Sequence, residues 1–156
     1  MQGKITGGGK VSTKARRWTK ILRWTLLATL FVLSVQFVLG MMTNLYVEFP
    51  SSLPHGDASQ WVMLHSALTM THIWVGTLLL LLSLLAIIFA IPARNKTAVV
   101  LSLLGMILTL TSWISGVAFL ANGQQNLMSM MMAIAFLVSV FVYVGEYIFT
   151  SRTSLT

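Results

Sequence analysis

Two histidines, His65 and His72, lie within a long apolar stretch, where an ionisable side chain is costly and is therefore a candidate for function. Their spacing of seven residues corresponds to about 10.5 Å along one helical face. Two metal–nitrogen bonds of about 2 Å do not bridge that distance, so the pair does not hold one metal ion. We interpret the histidines as two sites, or as one site with an accessory residue. Each can also be a neutral histidine that is hydrogen-bonded to Ser, Thr or Asn on a neighbouring helix.

Methionine is concentrated near these histidines. After Met1, eight of nine methionines lie toward the same end of the predicted helices: Met41, Met42, Met63, Met70, Met128, Met130, Met131 and Met132. Thioether sulfur is a soft ligand that suits Cu(I) and haem iron, but it is also an ordinary filler of irregular cores. The run at 128–132 points in several directions around a helix, so its methionines do not all face one centre.

Glu146 is an acidic residue inside an apolar stretch, three residues after Tyr143. Such residues usually pair with a partner, and the candidates are the basic residues near the same membrane edge, Arg23, Arg94, Lys96 and Arg152. An acid on a proton path is the alternative. The sequence contains no cysteine, which excludes disulfides, thiolate metal sites and cysteine nucleophiles. It also shows no paired-carboxylate site and no phosphate-binding loop.

The elements that must position these residues are membrane-spanning helices, as the composition indicates. The 156 residues are 56% hydrophobic and 8% charged, with a mean hydropathy of +0.85, whereas a soluble domain carries about 25% charged residues. The length allows about four spans of ~20 residues in a lipid bilayer. This composition excludes a soluble enzyme, a large ectodomain and a nucleic-acid-binding module.

The sequence predicts an all-α, polytopic membrane protein in which residues 21–149 form an antiparallel bundle of four transmembrane helices, at about 21–47, 61–91, 97–121 and 127–149. Residues 1–20 are expected to be a disordered basic cytoplasmic tail, and residues 150–156 a second cytoplasmic tail. The first apolar run is long enough to span, so we interpret it as a retained helix rather than a cleaved signal peptide. The second predicted helix is ~45 Å long against a ~30 Å hydrocarbon core, so its outer end must tilt or project.

The distribution of charge predicts the orientation. All ten lysines and arginines fall in the N-terminal part up to Arg23, in the 92–96 loop, or at Arg152. Four spans place these three regions on one side, and the positive-inside rule makes that side the cytoplasm. We therefore expect a multi-pass protein of the cell membrane with both termini in the cytoplasm.

Small and polar residues recur at three- and four-residue steps in each predicted span, which places each set on one helix face. Examples are Gly40 in the first span, Gly76 in the second and Gly116 in the third. Membrane helices pack through small residues and interhelical hydrogen bonds. These faces are therefore expected to meet inside the bundle.

Three short segments resemble one four-helix half of haem A synthase: the Gln36–Gly40 sequence QFVLG, the His72–Gly76 sequence HIWVG and the pair Ser115–Gly116. Each half of that family holds haem between helices at the outer side of the membrane, so the resemblance implies a haem ligand at His72. The chain departs from the family in having no histidine in the fourth span and no cysteine pair in its outer loop. It also resembles small four-span membrane proteins of Gram-positive bacteria, which implies no particular activity.

These observations lead to the hypothesis of a haem or quinone-type redox site in the outer third of the bundle. His72 would be an axial ligand and Met132 would occupy the opposite position, while His65 would bond a propionate. Space for a flat macrocycle is expected beside three glycines, Gly40, Gly76 and Gly116.

Two alternatives stay open. One is a cofactor-free accessory or assembly subunit of a larger membrane complex or homo-oligomer. The other is Cu(I) handling by the outer methionines, with His55 at the entrance.

Overall fold

The computed structural model describes residues 13–49, 58–121 and 125–153, and nearly all of these residues are helical. The helices within these ranges are α1 (Thr13–Tyr46), α2 (Ala58–His65), α3 (Ala67–Ala90), α4 (Lys96–Ala121) and α5 (Asn126–Thr153). Four of them, α1, α3, α4 and α5, are long and apolar enough to cross a membrane. The predicted all-α fold with four transmembrane helices is confirmed.

The four spans form a closed ring. α1 packs against α3 and α5, and α4 packs against the same two helices, so that α1 and α4 lie diagonally across the bundle. Aromatic contacts show that neighbouring spans are antiparallel, since Trp18 near the start of α1 stacks on Phe89 near the end of α3, with ring centroids 5.9 Å apart. We call the end of the bundle that carries Arg23, Arg94 and Arg152 the basic end, and the other the opposite end.

Small side chains contribute to the interior together with fully buried larger ones such as Leu22 and Leu26, and many large apolar side chains cover the outside. Ala86, Ala90 and Ala98 are fully buried, which allows the helix backbones to approach closely. Phe31 and Phe141, by contrast, expose 70% and 67% of their surface. A water-soluble protein would bury such residues, so this arrangement fits a bundle that is surrounded by lipid.

The first and last helices of the chain, α1 and α5, extend further at the basic end than the apolar pattern predicts. α1 begins at Thr13 rather than near residue 21, so that part of the predicted disordered tail is helical, and α5 continues to Thr153 rather than ending near 149. Lysine, arginine and alanine are good helix formers, and no proline occurs between 13 and 46. The helix therefore continues beyond the apolar run that reveals it in the sequence.

The second predicted helix is divided at Ser66. Its backbone leaves the helical conformation at φ −140° and ψ 86°, and its hydroxyl accepts a hydrogen bond from the backbone N–H of Thr69 at 3.2 Å. Serine is a favoured N-cap because its side chain satisfies an otherwise unpaired helix N–H. The excess length expected to tilt or project is thus a separate short helix, α2, which packs against α3 and α4.

The short connection expected at 92–96 joins α3 to α4. Asn95 caps the start of α4: its side-chain oxygen accepts hydrogen bonds from the backbone N–H groups of Thr97 at 3.1 Å and Ala98 at 3.3 Å. Arg94 adopts a left-handed backbone conformation with φ 55°. The chain reverses within these residues and returns across the bundle.

Candidate functional site

His72 lies near the opposite end of the bundle, in the interface between α1 and α3. Its ring rests on Gly40, where an added Cβ would lie 3.1 Å from Cε1 of the imidazole. The side-chain nitrogen of Gln36 lies 3.3 Å from His72 Nε2. We call these two side chains the Gln36–His72 pair.

The side-chain amide of Gln36 packs against a second glycine, Gly76. A Cβ added at Gly76 would lie 3.1 Å from Nε2 of Gln36 and 3.6 Å from Cδ1 of Trp113. Two glycines on facing helices therefore allow an imidazole and an amide to lie between the backbones. The indole of Trp113, from α4, lies beside them.

Polar atoms of this region have no partner within the described part of the chain. Oε1 of Gln36 and Nδ1 of His72 are buried and make no hydrogen bond, and the same holds for the hydroxyl of Thr43, about two turns after Gln36 on α1. If Gln36 donates to Nε2 of His72, the imidazole carries its proton on Nδ1. The pair then offers an unpaired donor and an unpaired acceptor in an environment where unpaired polar groups are costly.

Met132 lies in a different interface from His72. Its sulfur covers Gly116, where an added Cβ would lie 3.3 Å away, and its backbone carbonyl accepts a hydrogen bond from Ser112 at 3.1 Å. Both contacts join α5 to α4. The structure thus brings His72 together with Gly40, and Met132 together with Gly116.

This arrangement does not fit a haem placed as the resemblance implies. The space beside Gly40, Gly76 and Gly116 is covered by His72, Gln36 and Met132 respectively. Nε2 of His72 already faces the amide of Gln36. Seating a macrocycle between these glycines would require the side chains that cover them to move away.

His65 is separated from His72 by the helix break at Ser66. The two histidines were predicted to lie on one continuous helix, but they lie on two, α2 and α3. His65 ends α2 with an exposed side chain, its ring stacks on Trp61 with centroids 5.4 Å apart, and its Nδ1 donates to the Trp61 carbonyl at 3.0 Å. These contacts give His65 a local structural role. The proposed propionate contact stays a prediction.

The methionines expected to handle Cu(I) do not converge. Met41, Met63, Met130 and Met131 are exposed on the outside of the bundle, and His55 lies outside the described residues. The described part of the chain also contains no group of three or more His, Cys, Asp or Glu residues that could hold a metal ion. These observations do not support a metal site.

A second polar cluster occupies the interior nearer the basic end. The hydroxyl of Tyr143 donates to Ser83 at 2.8 Å, and Thr109 lies 3.5 Å from both hydroxyl oxygens. One turn from Tyr143 along α5, Glu146 accepts a hydrogen bond from Ser102 at 2.5 Å. Both Tyr143 and Glu146 are fully buried. A serine, rather than one of the expected basic residues, donates to the carboxyl.

Comparisons with protein-family models, curated protein sequences and solved structures give no match for this chain. Its function must therefore be inferred from its own residues. Those residues establish a small multi-pass integral membrane protein with two buried polar clusters.

Proposed function

We propose that the protein binds a lipid-soluble ligand of the quinone type at the Gln36–His72 pair. The observation that carries this proposal is the pair of buried, unpartnered atoms, Oε1 of Gln36 and Nδ1 of His72. A ring that bears carbonyl or hydroxyl groups can pair with such a donor and acceptor. A hydrogen bond made there removes the cost of leaving these groups unpaired.

The surroundings of the pair favour a flat, apolar ligand that arrives from the bilayer. The pair lies between two spans rather than in a connecting loop. Phe37, next to Gln36 in the sequence, and Trp74, two residues after His72, are exposed on the outside of the bundle. The indole of Trp113 lies against Gly76. Aromatic rings stack favourably on such surfaces.

The proposal is tested by titrating the purified protein, in detergent micelles, with a short-chain quinone and following tryptophan fluorescence. Wild type should show saturable quenching, because Trp113 lies beside the pair. His72→Leu and Gln36→Leu should each weaken binding at least ~10-fold, equivalent to about 1.4 kcal/mol, since each removes a buried hydrogen-bonding partner.

Thr71→Val is the matched control. Thr71 is exposed, and its hydroxyl donates to Ala67 within its own helix, so this variant should bind as wild type does. Equal binding by all four proteins would contradict the proposal. A haem absorbance that disappears in His72→Leu would replace the quinone-type ligand with haem, and a protein that binds neither would favour the accessory-subunit hypothesis.

We also propose that the basic end faces the cytoplasm. Cytoplasmic loops carry an excess of lysine and arginine, and the described basic residues gather at this end of the bundle. The Gln36–His72 pair would then lie in the outer part of the cell membrane.

A further inference from the structure

Glu146 is a buried acid that the proposed ligand site does not use. None of its side chain is exposed, although it lies on a helix whose other faces carry large lipid-facing residues. Oε1 accepts the hydrogen bond from Ser102. Oε2 has no hydrogen-bond partner within the described part of the chain.

The charged and titratable groups near Glu146 come from two helices. α1 contributes Arg23, whose guanidinium carbon lies 5.7 Å from the ring centroid of Tyr147. α5 itself contributes Tyr143, Tyr147 and, further along, the exposed Arg152. The buried residues of α4 in this part of the bundle are small and uncharged: Ala98, Ser102 and Gly105.

The oxygen atoms around Glu146 are too few for a metal cation. Hard cations such as Ca²⁺ and Mg²⁺ require about six or more oxygen ligands. Here Ser102 supplies one hydroxyl, Tyr143 turns its hydroxyl toward Ser83, and Thr150 donates to backbone carbonyls. A proton requires only one oxygen atom.

We propose that Glu146 is a proton-binding site inside the bundle. A carboxylate in a dry interior is costly, whereas the protonated acid is accommodated there. Oε2 takes the proton, and Ser102 holds the carboxyl group by Oε1. The site exchanges its proton with the basic end, which is seven residues away at Thr153, or about 10.5 Å along α5.

Infrared difference spectroscopy tests this proposal on the purified full-length protein. Wild type should show the C=O stretch of a protonated carboxyl that disappears reversibly as the pH is raised from mildly acidic to mildly alkaline. Glu146→Gln should remove this band. Ser102→Ala should keep it but move it to higher frequency, because the carbonyl loses its hydrogen bond. Glu48→Gln, at an exposed carboxyl, should leave it unchanged.

Three results would overturn the proposal: no such band at any pH, a band that persists in Glu146→Gln, or a band that sodium ions remove at constant pH. If Glu146→Gln does not fold, labelling of wild type by a hydrophobic carbodiimide provides the second measurement. Label on Glu146 in its protonated state supports the site, and label on the other two acids alone contradicts it. Neither experiment depends on quinone binding, so the two proposals can fail separately.

Discussion

The contact between Gly105 and Tyr143 makes a direct prediction about packing. A Cβ added at Gly105 would lie 2.6 Å from two ring carbons of Tyr143 and 2.9 Å from its hydroxyl oxygen. Since carbon atoms pack at about 3.5 Å, the ring would have to move by about 1 Å. Tyr143 is fully buried and is held by its hydrogen bond to Ser83, so a shift of the ring disturbs both its packing and this hydrogen bond.

The cost of Gly105→Ala follows from these contacts. Overpacking costs about 1–3 kcal/mol, and loss of the Tyr143 hydrogen bond costs about 1 kcal/mol more. We therefore expect Gly105→Ala to destabilise the folded bundle by about 2–4 kcal/mol relative to Gly145→Ala. Gly145 is the matched control, because an added Cβ there meets nothing within 4 Å and the intrinsic helix preference of the substitution is the same.

Unfolding of both variants in mixed micelles, with increasing denaturing detergent and circular dichroism as the signal, measures this difference. The penalty of Gly105→Ala should become smaller in a Tyr143→Leu background, since the ring that causes the clash is absent. Equal unfolding midpoints for Gly105→Ala and Gly145→Ala would refute the packing described here.

The other predictions concern topology, the α4 cap and the ligand site. Cysteine introduced at Asn126 should react with a membrane-impermeant thiol reagent in intact cells, whereas cysteine at Thr97 should not; the reverse labelling would show the opposite orientation. Asn95→Ala should lower the free energy of unfolding by ~1 kcal/mol, measured as above, because two N–H groups at the start of α4 lose their acceptor. Gly40→Ala should weaken quinone binding in the fluorescence titration, because its methyl group presses on the ring of His72; unchanged affinity would contradict the proposed position of the ligand.

The fold was largely predictable because an apolar chain in a membrane can adopt only a few folds. Long apolar runs identify the spans, and short connections make neighbouring spans antiparallel. The helix starts and the break at Ser66 were harder to predict from the sequence. A charged helical extension such as 13–20 lacks the apolar signal, and a serine becomes a cap only when its backbone leaves the helix.

The candidate site was predictable only in part. The sequence singled out His72 and placed Gly40 on an interior helix face, and the structure brings these two residues together. The pairing of Gln36 with His72 was missed. Gln36 carried a usable signal, because a lone amide within an apolar span requires a partner.

The separate location of Met132 was not accessible from the sequence. Its glycine neighbour and its depth in the bundle were consistent with a ligand opposite His72. The order of helices around the ring, however, depends on contacts between distant segments, and periodicity within one helix carries no information about it.

Quinone binding at the Gln36–His72 pair is tested most directly by chemical analysis of the small molecules that the protein retains when it is purified from membranes of its host. Organic extraction and mass spectrometry of wild type, Gln36→Leu, His72→Leu and Thr71→Val should find a quinone in wild type and Thr71→Val, and little in the other two. Equal amounts of quinone in all four preparations, or a haem in place of a quinone, would contradict ligand binding of this type at the Gln36–His72 pair.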